Sequence, residues 1–144
     1  MKRILILTIF SMAVGACSNA KPNQSQNQSS DSAAPAQAKP QVKTLKQGEL
    51  DSFIQKDSVI LIDVRTPGEV ADGYIPGADS FIDINNAAFE SKIGQLNPNY
   101  TYVMYCRSGG RSGRAASYMI NNGFTRVYNL EGGMLSYKGV VAKP

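Results

Sequence analysis

The sequence contains no histidine and no tryptophan, and only two of its 144 residues are cysteines. Without histidine, the chain lacks the imidazole that most often serves as a general base near neutral pH. Any catalytic mechanism must therefore work without that group. The two cysteines, Cys17 and Cys106, lie in segments of very different composition, and each segment predicts its own role.

The chain also has little excess of charge of either sign. Its formal net charge is +4, and +2 remains once Lys2 and Arg3 at the N-terminus are set aside. A charge this small and this evenly spread does not indicate a surface that binds nucleic acid. We therefore expect no nucleic-acid partner.

The N-terminal segment has the pattern of an export signal. Lys2 and Arg3 precede a mostly apolar run over residues 4–14, which is too short for the roughly 20 apolar residues that span a bilayer. The run ends in the small residues of positions 14–16 followed by Cys17, an arrangement that resembles a bacterial lipobox. We expect residues 1–16 to be a lipoprotein signal peptide and Cys17 to be the lipidated residue. An ordinary signal peptide with a chance cysteine is the alternative.

Residues 18–41 consist mainly of Asn, Gln, Ser, Ala, Pro and Lys, and Val42 is the first aliphatic residue larger than alanine after Cys17. Such a segment cannot bury enough apolar surface to offset the entropy of ordering it. We interpret residues 17–41 as a lipidated, disordered tether with a reach on the order of 25 to 30 Å. The protein would then lie in the cell envelope, facing the periplasm and held to a membrane by its lipid. Ser18 favours the outer membrane over the inner one, because Asp often follows the cysteine of lipoproteins kept at the inner membrane.

Residues 42–144 alternate short apolar runs with helical stretches, which predicts one α/β domain with a mainly parallel sheet. Thr44 with Gln47, and Thr66 with Glu69, have the capping-box pattern of a hydroxyl residue followed three positions later by Gln or Glu. The pattern predicts helices beginning near Leu45 and Pro67. A longer helix is predicted over residues 112–122, with Gly123 placed to end it. The strand candidates are residues 59–63, 80–84, 100–105 and 126–129, with a short edge strand at 42–44.

The most informative segment is the loop between the third strand candidate, 100–105, and the long helix. Cys106 follows that strand directly, at the carboxyl edge where α/β sheets place their sites. Gly109 and Gly110 let the backbone turn tightly and direct amides inward, while Arg107 and Arg111 add positive charge. We therefore predict that the pKa of the Cys106 thiol lies below its ordinary value of about 8.5. Such a thiol needs no histidine to become a nucleophile.

A buried, inert cysteine is the alternative, since free cysteines are often buried. If Cys17 is acylated, however, Cys106 has no partner for an internal disulfide and remains an unpaired thiol in an oxidising compartment. An electropositive loop around such a thiol favours the reactive interpretation.

Four motifs of the chain, taken in order, resemble those of rhodanese domains. They are residues 61–69 (LIDVRTPGE), 73–78 (GYIPGA), 106–112 (CRSGGRS) and 129–134 (NLEGGM). The resemblance runs from about residue 43 to the end of the chain. It implies a five-stranded, mainly parallel sheet with helices on both faces. It also implies a sulfurtransferase whose cysteine accepts a sulfane sulfur as a persulfide and passes it on, with no cofactor and no bound metal.

Carried over to this chain, the resemblance implies that Cys106 is the nucleophile and that the amides from Arg107 to Ser112 stabilise the anionic sulfur. Arg111 would clamp a small sulfur-containing anion such as thiosulfate, because a guanidinium fork donates two parallel hydrogen bonds. Cyanide or a thiol would be the acceptor. Asp63 and Arg65 resemble the family's structural acid and arginine. The remaining substrate-binding residues would be Arg107, Ser108, Gly109, Gly110 and Ser112.

Two residues depart from the common pattern of the family. Tyr74 stands where histidine usually precedes the Ile-Pro-Gly-Ala sequence, and Tyr137 stands where tryptophan often follows the late Gly-Gly-Met turn.

Two other functions compete with sulfur transfer. Phosphatases and arsenate reductases use a related loop with arginine six positions after the cysteine. Here that position is Ser112 and the arginine is at five, which disfavours phosphoryl transfer. A persulfide carrier or partner-docking module without turnover stays open.

Overall fold

The computed structural model describes residues 39–144. The predicted signal peptide, the lipidated Cys17 and residues 18–38 of the predicted tether lie outside the described residues. In the part of the chain that the structure describes, no helix has the length and apolar character needed to cross a bilayer.

Strands and helices alternate along residues 43–136. The strands are β1 Lys43–Leu45, β2 Val59–Asp63, β3 Ala78–Phe81, β4 Thr101–Tyr105 and β5 Val127–Leu130. A single 3₁₀ turn, Gln47–Glu49, leads into the first helix. The helices are α1 Leu50–Ile54, α2 Pro67–Ala71, α3 Phe89–Gly94, α4 Gly110–Asn121 and α5 Gly133–Ser136.

The strands of this region form a single sheet in the order β1-β5-β4-β2-β3, and every neighbouring pair is parallel. Strand β4 is central, with β2 on one side and β5 on the other. Because all strands run the same way, the loops that follow β2, β4 and β5 meet at one edge of the sheet. This arrangement confirms the predicted five-stranded parallel α/β fold.

Alternate residues of the central strands pack on opposite faces of the sheet, as strand geometry requires. On one face, Leu61, Val103 and Tyr105 form a cluster with Leu50 of α1. On the other face, Ile62 and Met104 belong to a second cluster, which also includes residues of two helices: Phe89 and Ile93 of α3, and Ala115, Ala116 and Met119 of α4. Burying one Leu, Ile or Phe side chain contributes about 1.5 to 3 kcal/mol, so these two apolar layers fix the sheet between helices.

Of the two helix starts predicted from capping boxes, one is confirmed and one is wrong. The capping box of α2 is confirmed: the Thr66 amide donates to Glu69 Oε2 at 3.2 Å, and the Glu69 amide donates to Thr66 Oγ1 at 3.4 Å. The box predicted at Thr44 and Gln47 is wrong, and so is the helix start near Leu45, since Leu45 ends β1 and the first α-helix begins at Leu50. Thr44 lies in β1, where it pairs with Asn129 of β5, so its backbone is extended. The Lys46 amide instead donates to Glu49 Oε2 at 3.2 Å at the start of the 3₁₀ turn.

Several predicted boundaries shift by one to three residues. Helix α4 begins at Gly110 rather than at Ser112, because the left-handed residue before it already ends the loop. Strands β3 and β5 are found at 78–81 and 127–130 instead of 80–84 and 126–129. The short helices α3 and α5 were not predicted, since helices of six and four residues carry too little periodicity to be recognised.

Candidate active site

Cys106 lies directly after β4, at the carboxyl edge of the sheet, and only 1% of its surface is exposed. Its carbonyl oxygen accepts a hydrogen bond from the amide of Met134 at 2.9 Å. The backbone of Cys106 is therefore held from two sides, by the end of β4 and by helix α5. A group fixed in this way loses little entropy when it reacts.

The sulfur of Cys106 accepts hydrogen bonds from the loop that follows it. The Gly109 amide donates to the sulfur at 3.2 Å, and the Ser112 hydroxyl lies 3.4 Å from it. Burial alone raises the pKa of the Cys106 thiol, but hydrogen bonds from the Ser112 side chain and from the amides of Ser112, Ser108 and Gly109 lower it by more. The net shift of the pKa is downward, in the predicted direction. The groups that lower this pKa are the loop amides and the Ser112 hydroxyl.

Of the two glycines that were expected to shape the loop, Gly109 is the one that needs to be glycine. Its φ is +95°, in the left-handed region. A Cβ there would lie 3.6 Å from the Gly132 amide nitrogen and from the Leu130 carbonyl oxygen, so the loop passes close to the turn after β5. Gly110 has open space around it and forms the exposed first residue of α4.

Ser112 connects the sulfur to strand β5. Its hydroxyl lies 2.7 Å from Oδ1 of Asn129, and Nδ2 of Asn129 donates to the Gly109 carbonyl at 3.1 Å. Sequence reasoning did not name Asn129 as a site residue. A signal for it existed, because Asn129 is polar and lies near the carboxyl end of a strand that neighbours β4.

Arg111 forms a bidentate ion pair with Glu69. Its Nη1 lies 2.6 Å from Oε2 and its Nη2 lies 2.5 Å from Oε1. The guanidinium lowers the pKa of the Glu69 carboxyl to about 2, and the carboxylate raises the pKa of Arg111. The fork that was expected to hold a sulfur-containing anion therefore holds a carboxylate of the protein itself.

Glu69 is fixed in place at the start of α2. One of its oxygens, Oε2, accepts from the Thr66 amide at 3.2 Å and from the Thr66 hydroxyl at 3.0 Å. The sequence indicated only the capping role of Glu69. Its second role follows from the sheet order: α2 begins after β2, and β2 lies beside β4, so the first turn of α2 faces the Cys106 loop.

The other predicted binding residues form the rim of the loop. Arg107, Ser108 and Gly110 are exposed, whereas Ser112 is buried. The Arg107 carbonyl accepts from the Leu135 amide at 2.9 Å, so helix α5 also holds the rim. The structure thus brings Cys106 together with the amides of its loop, with Ser112 and with the pair formed by Arg111 and Glu69.

Asp63 and Arg65 form a buried ion pair beneath the site. Arg65 Nη2 lies 2.6 Å from Asp63 Oδ2, and Nε lies 2.9 Å from Oδ1. The same guanidinium donates to the carbonyls of Glu69 and Gly73, at 3.0 and 2.8 Å, and its carbon lies 5.7 Å from the centre of the Tyr105 ring. These bonds tie the end of β2 to α2 at Glu69 and to Gly73, which follows α2. Neither side chain is hydrogen-bonded to Cys106 in the described structure.

The two departures from the family pattern lie in packed positions. Tyr74 forms an antiparallel bridge with Ala142 near the C-terminus, with both backbone hydrogen bonds at 2.9 Å. Its ring contacts Phe81 edge to face, with centroids 4.9 Å apart. Tyr137 packs against the apolar cluster that contains Leu50. Among residues 39–144, no group of three or more acidic, cysteine or histidine side chains is placed to hold a metal ion.

Comparison with known proteins identifies the family. Residues 46–139 match the model of the rhodanese-like domain. The chain therefore belongs to the rhodanese-like family, and the fold and the cysteine-bearing loop agree with that membership. In structure, it is similar to a rhodanese-like domain protein from Staphylococcus aureus, with a TM-score of 0.61 and 30% identity over 72% of this chain and 99% of the other.

Proteins that are similar to this chain in sequence include sulfurtransferases. A sulfurtransferase of Allochromatium vinosum is 36% identical over 56% of this chain and 73% of its own length. A putative sulfurtransferase of Bacillus subtilis, YtwF, is 37% identical over 69% of this chain and 93% of its own length. A tRNA uridine(34) hydroxylase of Prochlorococcus marinus is 35% identical over 66% of this chain, but the match covers only 32% of that protein.

Proposed function

We propose that this protein is a sulfurtransferase that moves a sulfane sulfur from a donor such as thiosulfate to cyanide or a thiol through a persulfide on Cys106. The proposal rests on the environment of the Cys106 sulfur. The sulfur accepts a hydrogen bond from the Gly109 amide at 3.2 Å, and the pKa of the thiol is lowered. A thiolate is the nucleophilic form of cysteine, so a lowered pKa increases the reactive fraction.

In the first half of the cycle, the Cys106 thiolate attacks the outer sulfur of thiosulfate. A new S–S bond forms on Cys106, the S–S bond of the donor breaks, and its electron pair leaves with sulfite. The product is a persulfide anion, so the Cys106 side chain carries one negative charge before and after the step. In the second half, cyanide attacks the terminal sulfur and leaves as thiocyanate, and the Cys106 thiolate is restored.

The loop serves both halves because its amides are fixed. The charge of the thiolate passes to the terminal sulfur of the persulfide, and preorganised N–H groups stabilise a charge without having to reorient. Gly109 and Ser112 are held by Asn129, which bonds the carbonyl of the first and the hydroxyl of the second. No protein base is required, which fits a chain without histidine.

A second candidate is a persulfide carrier that delivers its sulfur to a partner without turning over small molecules. Two observations favour it: Cys106 is only 1% exposed, and the fork of Arg111 is already occupied by Glu69. Both features slow the entry of a free anion. They do not prevent the sulfur from being loaded once.

Turnover separates the enzyme from the carrier. Purified protein is mixed with an excess of thiosulfate and cyanide, and thiocyanate is measured over time. We expect many equivalents of thiocyanate per chain, and none above background with Cys106→Ser. Release of no more than one equivalent per chain would support the carrier and contradict the enzyme.

Phosphoryl transfer is the third possibility, and the loop disfavours it. Arg111 is five positions after Cys106, and position six is Ser112, whose hydroxyl is bonded to the Gly109 carbonyl and to Asn129. We expect no hydrolysis of p-nitrophenyl phosphate under conditions in which sulfur transfer proceeds. Hydrolysis that is lost in Cys106→Ser would contradict the sulfurtransferase proposal.

We also propose that the protein is anchored in the cell envelope by lipid on Cys17. The support is the order of a basic pair, an apolar run and small residues before that cysteine. Cells that express the chain should incorporate labelled palmitate into it, and Cys17→Ser should abolish the label. Label that survives Cys17→Ser would contradict the anchor.

A further inference from the structure

The carboxylate of Glu69 is held more firmly than a surface acid normally is. It accepts from both nitrogens of the Arg111 fork and from the amide and hydroxyl of Thr66. The side chains of Arg111 and Glu69 are only 22% and 29% exposed. Glu69 therefore does not swing away freely, and a ligand that needs the Arg111 fork must draw Arg111 off a carboxylate that stays where it is.

This fixed negative charge opposes the charge of the loop. Arg107 and Arg111 bring two positive charges, while the Cys106 thiolate and Glu69 bring two negative charges. A dianion that enters the site meets Glu69 as a like charge and competes with it for the same two N–H groups. A donor with one charge fewer experiences less of this repulsion, since the interaction scales with the product of the charges.

We propose that Glu69 is a specificity-determining residue that acts through Arg111 and makes the site favour singly charged sulfane-sulfur donors over the thiosulfate dianion. The proposal rests on the sulfur transfer at Cys106 described above. Glu69 is a positioning residue here, since it contacts Arg111 and the structure shows no contact between it and the reacting sulfur.

Two donors that differ in charge but share the reaction make a direct test. Thiosulfate gives its outer sulfur to the Cys106 thiolate and leaves as sulfite. Methanethiosulfonate, a monoanion, gives its outer sulfur in the same way, with its S–S bond broken and the electron pair leaving on methanesulfinate. In both reactions the product on the protein is the same persulfide anion.

The variant Glu69→Gln removes the charge and keeps a side chain that can still cap α2. The rate constant for persulfide formation is measured with each donor, for the wild type and for the variant. We expect Glu69→Gln to raise the ratio of the thiosulfate rate to the methanethiosulfonate rate by about tenfold, which corresponds to the worth of one charge-assisted hydrogen bond. An unchanged or lowered ratio would overturn the selectivity.

Two controls separate this role from a structural one. Asp72→Asn removes the same charge from an exposed position at the end of α2, and it should leave the ratio unchanged. In an Arg111→Ala background, Glu69→Gln should raise the ratio by no more than about twofold, because the competition for Arg111 is gone and only direct repulsion from the partly exposed carboxylate remains. A rise as large as in the native background, or an equal rise in Asp72→Asn, would overturn the proposal.

The two levels of the hypothesis fail in different ways. A wild type that accepts sulfur from neither donor contradicts the sulfurtransferase proposal and removes the basis for the selectivity. A wild type that accepts sulfur from both donors, with a ratio that Glu69→Gln does not change, leaves sulfur transfer intact and overturns the role of Glu69 alone.

Discussion

The hydroxyl oxygen of Ser112 lies 3.4 Å from the sulfur of Cys106, in the first turn of α4. The same hydroxyl lies 2.7 Å from Oδ1 of Asn129, and a hydroxyl has one proton to donate. A negatively charged sulfur is the stronger acceptor, because hydrogen bonds to ions exceed those between neutral groups. Ionisation of Cys106 is therefore coupled to the direction in which the Ser112 proton points.

Replacing Ser112 tests this coupling. Ser112→Ala should raise the pKa of Cys106, because the hydrogen bond from the Ser112 hydroxyl, which favours the charged form, is lost. The rate of alkylation by iodoacetamide, measured against pH, gives the pKa. Ser117→Ala, on the exposed side of the same helix, is the control and should leave the profile in place. A Ser112→Ala profile identical to that of the wild type would show that the hydroxyl does not give its proton to the sulfur and bonds Asn129 or the Gly109 carbonyl instead.

The ion pair of Glu69 and Arg111 should make the free energy of unfolding depend on pH. The pKa of Glu69 falls from an ordinary 4.5 to about 2 in the folded protein, so the unfolded chain binds a proton first as the pH falls. The pair then stabilises the fold above about pH 4.5 and loses this contribution on the way to about pH 2. At neutral pH we expect a contribution of about 1 to 2 kcal/mol, since the pair is partly exposed.

Urea denaturation measured near neutral pH and again at about pH 3 checks this dependence. The free energy of unfolding of Glu69→Gln should lie below that of the wild type near neutral pH, and the gap should narrow in acid. Asp72→Asn serves as the control for the loss of a negative charge. A gap that stays constant across this range would show that the pair does not link protonation to stability.

The buried pair of Asp63 and Arg65 predicts a large loss when one partner is removed. Asp63→Asn leaves a guanidinium that is 6% exposed without its counter-ion, and we expect a cost of about 3 to 5 kcal/mol in the free energy of unfolding. Asp57→Asn, an exposed acid before β2, should change stability by less than about 0.5 kcal/mol. Removing both charges with Asp63→Asn and Arg65→Met should cost less than the sum of the single changes. A small effect of Asp63→Asn would contradict the structural role.

Gly133 allows the closest backbone approach at the site. Its φ is +52°, and a Cβ there would overlap the carbonyl oxygen of Cys106. Gly133→Ala should therefore lower the free energy of unfolding by more than about 2 kcal/mol, by strain and by displacing the Cys106 backbone. Gly48→Ala, which has open space around it, is the matched control. Equal melting temperatures for the two variants would contradict the close approach.

Local pattern in the sequence was sufficient to locate Cys106, because an apolar strand precedes it and a well-marked helix follows it. The same reasoning found the cap of α2, which depends on residues three positions apart. The box proposed for Thr44 failed because pairing with β5 decides the conformation of that residue, and pairing depends on a strand more than 80 residues away.

The contacts that complete the site join distant parts of the chain. Glu69 and Arg111 are 42 positions apart, and Ser112 and Asn129 are 17 apart. Each pair meets only because β2 and β5 flank β4 in the sheet. The sequence located the strands but not their order in the sheet, so it could not predict these contacts. We expected the Arg111 guanidinium to bind an anion with two oxygen acceptors. The sequence did not show that the Glu69 carboxylate of the protein itself takes this place.

The mass of the intact protein after exposure to thiosulfate tests the central claim most directly. The wild type should gain the mass of one sulfur atom, lose it again when cyanide is added, and release sulfite in equal amount. Cys106→Ser should show no gain. If the wild type stays unmodified while free thiol titration shows Cys106 reduced, or if the gain persists in Cys106→Ser, sulfur transfer through this residue is contradicted.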